Sequence, residues 1–125
     1  MNALRNLHSA LVPGGLVLDM QPIGGRIPLE AEGANLGRVD MRDWARTIAD
    51  VARLVDKVLA DGFFGEVEER RYEVRETFDD GAELLETVST WDGTTIPAAL
   101  ARRVRRASPP FVIVEPVLMR VLGVL

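Results

Sequence analysis

Residues 9–22 read SALVPGGLVLDMQP and contain the transition that decides the fold. The Pro-Gly-Gly turn ends an apolar helical segment, because proline lacks an amide donor and glycine adopts backbone angles that turns need. The next five residues, Leu-Val-Leu-Asp-Met, form a short apolar run that is typical of a strand buried on both faces. The stretch therefore predicts a helix, a tight turn and a buried strand in immediate succession.

The segments on either side of this stretch extend the pattern. Leucines recur at spacings of three and four over residues 2–11, which predicts an amphipathic helix before the turn. After the strand, residues 27–39 contain two short extended segments around Glu32 and Gly33, which predicts a small hairpin.

Residues 40–61 carry the clearest helical pattern of the chain. Asp40 and Asp43 stand at cap positions, and Gly62 is a natural stop. Polar side chains fall mostly on the opposite side from one apolar stripe, so the helix is expected to bury a single face. The stripe consists of Trp44, Ile48, Val51, Val55 and Val58.

Two further strands are predicted in the second half of the chain. Residues 67–78, VEERRYEVRETF, alternate between apolar and charged side chains, and a charged outer face is typical of an edge strand. Residues 111–122, FVIVEPVLMRVL, are apolar on both faces and predict an interior strand with a bulge or bend at Pro116. Short helices are expected between these strands, at about residues 81–91 and 97–106.

Length and composition limit the function classes. A chain of 125 residues is one domain or part of one, and its net charge of −4 gives no electrostatic reason to expect nucleic acid or an anionic membrane as partner. The absence of cysteine excludes disulfides, and the single histidine, His8, cannot anchor a multi-histidine metal site. No apolar run approaches the length of a membrane span, and no signal peptide is apparent, so a cytoplasmic protein is expected.

The order of elements resembles the C-terminal half of a class I S-adenosylmethionine-dependent methyltransferase domain. In that family a helix ending in Pro-Gly-Gly precedes the fifth strand, here the run from Leu16 to Met20, and a long helix follows, here residues 40–61. An antiparallel pair of strands then closes the sheet, and the last strand inserts between the fifth and sixth. The resemblance implies an α/β fold: the C-terminal part of a Rossmann-like domain, with a small mixed sheet and flanking helices.

The chain departs from the family in the part that binds the cofactor. Family members bind S-adenosylmethionine on a glycine-rich turn after the first strand, with an acidic residue after the second. The first four strands have no counterpart here, and Gly24-Gly25 follows a strand without opening a helix. The domain of residues 1–125 is therefore expected to lack the cofactor-binding half, to bind no cofactor alone, and to be inactive unless the missing half completes it.

Asp19 and Gln21 are the candidate substrate-binding residues. They lie at the carboxyl end of the first strand, where α/β sheets present groups that contact ligands. The alternative is that Asp19 caps nearby backbone amides. Trp44 and Trp91 are interpreted as core or interface anchors, no metal site is predicted, and the sequence identifies no catalytic residue.

Two functional classes remain open. The chain is either the substrate-side portion of a methyltransferase or a non-enzymatic module, derived from that fold, that assembles with itself or with another protein. Without a fourth strand, the edge from Leu16 to Met20 is left open, and it is short, apolar and unprotected by lysine or proline. This edge predicts a homodimer, or a heteromer with the missing half.

Overall fold

The computed structural model describes Asn6 and residues 9–125. The predicted helix over residues 2–11 therefore lies largely outside the described residues, as does His8. The remaining elements follow the predicted order. They are β1 (Leu16–Pro22), β2 (Arg26–Ala31), β3 (Ala34–Asp40), α1 (Arg42–Ala60), β4 (Phe64–Phe78), α2 (Gly81–Ser89), α3 (Ala98–Arg106) and β5 (Phe111–Val124).

Strand β5 is the centre of the sheet. It pairs along its whole length with β4 on one side, while its other side is shared by β2 and β1. The expected insertion of the last strand between the first strand and the charged strand is confirmed. The expected mixed sheet is wrong, because every hydrogen-bonded pair among the described strands is antiparallel. Strands β1 and β4 run in the same direction, but β5 separates them.

Pro116 lies where the partner of β5 changes. On one side of this residue β5 pairs with β2 up to Ile113, and on the other it pairs with β1 from Val117. The Pro116 carbonyl accepts a hydrogen bond of 2.9 Å from the amide of Ile23, between those two strands. In an antiparallel ladder the amide and the carbonyl of one residue point to the same neighbouring strand. Proline has no amide hydrogen, so it leaves that ladder one hydrogen bond short. Proline is therefore placed at a gap in the ladder, and the pairing with β4 is uninterrupted there.

The predicted hairpin is confirmed as β2 and β3. Glu32 and Gly33 connect the strands, with φ angles of 53° and 78°. Positive φ at both central residues is the signature of the type I′ turn, whose twist matches that of the strands it joins.

Helix α1 starts and ends close to the expected positions. The Asp40 carboxylate accepts the backbone amide of Arg42 at 3.0 Å and also binds the Arg42 guanidinium through both oxygens. These hydrogen bonds lower the pKa of Asp40 to about 2. At the other end Gly62 adopts a φ of 83° and donates to the Leu59 carbonyl, which terminates the helix.

Two hydrophobic cores occupy opposite faces of the sheet. Alternation along β5 is unbroken, so Phe111 and Ile113 point away from the face that carries Leu122 and Val124. The first core lies on the side of Phe111, where α2 and α3 pack, and the second is formed by α1 against Leu122. Among the described residues, no helix has both the length and the apolarity that a membrane span requires.

Candidate functional site

The two predicted substrate-binding residues contact each other. Gln21 Nε2 donates to Asp19 Oδ1 at 2.9 Å, and both side chains are half-buried. Their register with Leu118 and Arg120 of β5 puts them on the sheet face that carries α1. The described contact of the Asp19 carboxylate is thus with a side-chain amide rather than with a backbone cap. A substrate role for this pair stays a prediction.

A concave site lies at the carboxyl end of β1, and we call it the tryptophan pocket. It has a volume of about 240 Å³ and is largely apolar. The end of β1, the start of α1, the segment after α2 and the middle of β5 supply its walls. The lining residues are Pro22, Met41, Trp44, Trp91, Asp92, Thr94 and Glu115.

Backbone hydrogen bonds hold the walls of the tryptophan pocket together. Asp40 and Thr95 exchange amide-to-carbonyl bonds of 2.9 and 2.7 Å, which ties the end of β3 to the segment after α2. The Trp44 amide donates to the Gly93 carbonyl at 3.3 Å. Trp44 and Trp91 are both partly buried against the first core, as predicted for anchors. The pocket is therefore built by tertiary contacts between segments that are distant along the chain.

The charged groups of the tryptophan pocket are acidic. Glu115 is half-buried, and burial raises the pKa of its carboxyl above the ordinary value, while the carboxylate of Glu76 raises it further. Asp92 is exposed, and the lining includes no lysine or arginine. The indole nitrogen of Trp44 is buried and has no hydrogen-bond acceptor among the described residues. The site therefore combines aromatic surface with negative charge that no ion pair within the lining compensates.

Replacing Gly93 with alanine should disturb this pocket. Gly93 has a φ of 62°, and a Cβ atom there would lie 2.5 Å from the Trp44 backbone nitrogen, so the two segments must separate. We expect the free energy of unfolding to fall by about 2–4 kcal/mol, the sum of left-handed strain and overpacking. Denaturant unfolding of the variant measures the change.

The matched control is Gly33→Ala in the β2–β3 turn. Gly33 has a φ of 78°, but no atom lies within 4 Å of the added Cβ, so only the conformational cost of about 1–2 kcal/mol applies. Equal losses in the two variants would contradict the assigned packing of Gly93 against Trp44.

A second groove, of about 540 Å³, lies between the start of α2 and the end of α3. Charges of both signs line it, since Asp79 and Asp80 face the same space as Arg105. Asp80 caps α2 through a 3.0 Å bond from the Ala82 amide, so its carboxylate already has a structural role.

A buried arginine joins α1 to the sheet on the other side of the molecule. Arg120 is 8% exposed and donates to Asp56 at 3.0 Å and to Glu66 at 2.7 Å. The two carboxylates come from α1 and β4, 64 and 54 residues away in sequence. This cluster is structural, since it cross-links three elements above the second core.

One sheet face beside β1 carries exposed apolar side chains, and we call it the open face. The side chains of Leu16, Leu18 and Met20 are 62%, 65% and 53% exposed, so the expectation that β1 is buried on both faces is wrong. The Tyr72 hydroxyl of β4 lies 3.7 Å from Met20 Sδ, which shows that β4 contributes to the same face. The exposed members are Leu16, Leu18, Met20, Val67, Tyr72 and Val74.

The outer edge of β1 adjoins the open face. Within the described part of the chain, β1 pairs with β5 alone, so its other edge has no strand partner. Its run from Leu16 to Leu18 lacks the charged or proline side chains that usually protect an edge, and Asp19 and Pro22 supply them only further along the strand.

Neither a metal site nor a similarity to known proteins adds an assignment. Across Asn6 and residues 9–125, no group of three or more histidine, cysteine, aspartate or glutamate side chains is arranged to hold a metal ion. Neither a protein-family model, nor a curated protein, nor a solved structure matches the chain.

Proposed function

We propose that the chain is the C-terminal, substrate-side portion of a class I S-adenosylmethionine-dependent methyltransferase domain. One observation carries the proposal: β5 lies antiparallel between two strands, β1 and β4, that run in the same direction and are separated in sequence by the long helix α1. This is the arrangement that the resemblance implies for the end of the family's sheet. The β2–β3 hairpin is then an insertion between β1 and α1.

The described residues do not form a cradle for the cofactor. After β1 the Gly24-Gly25 loop leads into β2, whereas a phosphate- or nucleotide-binding turn leads into a helix. What the chain contributes in this proposal is the carboxyl-terminal half of β1, with Asp19 and Gln21 on the face that carries α1 and the tryptophan pocket on the face of the first core. No catalytic residue is assigned. A cytoplasmic location remains a prediction from composition.

S-adenosylhomocysteine titration tests this proposal. The chain alone should show no saturable rise in melting temperature, because residues 9–125 form no cradle for the cofactor. The coding sequence upstream of Met1 should encode, in frame, an apolar strand followed by Gly-x-Gly and a helix. The extended protein should be stabilised by about 2.7 kcal/mol when the ligand is at 100 times its dissociation constant.

Two results would count against the methyltransferase proposal. One is an upstream reading frame that lacks any such strand and glycine-rich turn. The other is saturable binding by the 125-residue chain itself, which would place a cofactor site in residues to which we assign none.

A second function is supported by a separate observation, the open face with its adjoining edge. We propose that the run from Leu16 to Met20 mediates association, either with a second copy or with a chain that supplies the missing half. Exposed apolar patches rimmed by polar residues mark interaction surfaces. A closed twofold dimer would hide the same edge on both copies. In this alternative the chain is a non-enzymatic interaction module.

A further inference from the structure

We infer that the tryptophan pocket binds a small organic cation of the methylated or quaternary ammonium class. The inference is independent of the proposed function, because every group that it uses belongs to the described residues. It rests on three properties of the pocket: its size, its aromatic walls and its uncompensated negative charge.

The size and walls of the pocket favour a compact apolar group. A volume of about 240 Å³ is below the range of sites for drug-sized ligands. Trp44 comes from α1 and Trp91 from the segment after α2, so indole rings reach the space from two separate elements. Tryptophan is the strongest partner for a cation over an aromatic face, and paired aromatic walls of this kind hold quaternary ammonium groups.

The charge of the pocket selects a cation over a neutral ligand. The carboxylate of Glu115 is half-buried and makes no ion pair with the described residues, and a neutral ligand would remove still more of its water. A cation would compensate that carboxylate, with Asp92 and Glu76 adding to the attraction. An anion would be repelled. The two arginines in the first two turns of α1 are already held by Asp40 and Asp43 and do not compete.

The sparse polar lining distinguishes a methylated ammonium from other cations. A primary ammonium carries three donors that each seek an acceptor, and a calcium ion takes six to eight oxygen ligands. Beyond the carboxylates of Asp92 and Glu115, the lining side chains offer one further oxygen, the hydroxyl of Thr94. A group whose nitrogen is covered by methyls needs no hydrogen bonds and buries its methyls against Pro22 and Met41.

The test uses the full chain titrated with tetramethylammonium chloride at constant ionic strength. The sequence has two tryptophans, and both line this pocket, so the indole N–H resonances report on the site directly. We expect saturable shifts of both resonances, with a dissociation constant of about 1 mM. The neutral isostere tert-butanol and sodium chloride should produce no saturable shift.

Variants separate the charge from the aromatic surface. Glu115→Gln should weaken tetramethylammonium binding by about tenfold or more, because it removes the unpaired carboxylate. Trp91→Leu should weaken it by about two- to thirtyfold and can be followed at the Trp44 resonance. Glu32→Gln, which removes the same charge from the exposed β2–β3 turn, should leave binding unchanged.

Three results would overturn the inference. They are the absence of saturable shifts with tetramethylammonium, an equal response to tert-butanol, and unchanged affinity in Glu115→Gln. If Glu115→Gln fails to fold, the comparison of tetramethylammonium with tert-butanol on the unmodified chain still tests whether the pocket selects a cation. None of these measurements uses S-adenosylmethionine, so the inference can fail while the methyltransferase proposal stands.

Discussion

Replacing Phe111 with alanine should lower the free energy of unfolding by about 3–5 kcal/mol. The Phe111 side chain is fully buried in the first core at the start of β5, where it pairs with Phe78 of β4 and lies beneath α2 and α3. Truncation loses the transfer free energy of the ring and leaves a cavity that the central strand cannot close by moving. Since a domain of this size is stable by about 6–19 kcal/mol, the loss is a large fraction of the total. Denaturant unfolding followed by circular dichroism measures it.

Phe63→Ala is the matched control for this truncation. Phe63 is half-buried at the rim of the second core, so deletion of the same atoms leaves a space that solvent can fill. We expect its cost to be about half that of Phe111→Ala or less. If Phe111→Ala cost no more than Phe63→Ala, the first core would not be packed as described.

Local patterns in the sequence were sufficient to predict most elements and the central position of β5. An apolar pattern on both faces, as in β5, is typical of a strand in the interior of a sheet, with a neighbouring strand at each edge. A charged pattern, as in β4, is typical of an edge strand that pairs with a single neighbour. The β2–β3 turn follows from local chemistry too, because Gly33 permits a positive φ that most residues avoid. These predictions succeed because each depends on side chains within a few residues of one another.

The sites depend on contacts between distant residues, and the sequence did not indicate them. Arg120 meets carboxylates 54 and 64 residues away, and Trp44 contacts the segment that follows Trp91 although β4 and α2 lie between them in sequence. A weak signal was present: two tryptophans, each near a helix end, in a chain with few aromatic residues. That signal indicated anchors but not a pocket.

The two faces of β1 also could not be distinguished from sequence. Leu16, Val17 and Leu18 are all apolar, so the run predicts burial on both faces without saying which side the helices cover. In the structure Val17 packs against the second core beside α1, whereas Leu16 and Leu18 lie on the open face. A charge at Val17 would therefore disrupt the core, and a charge at Leu18 is the proper test of association.

The proposed self-association through β1 predicts that Leu18→Lys converts an oligomer into a monomer. In a dimer built on the outer edge of β1 and the open face, Leu18 is buried at the contact, and apolar burial contributes roughly 25 cal/mol per Å². A lysine there would bring an unpaired charge into the interface, at a cost of several kcal/mol per ion. The dissociation constant should rise by about a hundredfold or more. Light scattering coupled to size exclusion measures the mass at micromolar concentration.

Leu54→Lys separates this effect from a general loss of apolar surface. Leu54 is 41% exposed on α1, on the side of the sheet away from the open face, so the same substitution there should leave the oligomer intact. An unmodified chain that is folded and monomeric at micromolar concentration would refute self-association, and the heteromer with the missing half would then be the remaining form of the proposal. Equal dissociation by both variants would show that the contact lies elsewhere. Association through the outer edge of β1 is supported only if Leu18→Lys disrupts the oligomer while circular dichroism shows that the fold is unchanged.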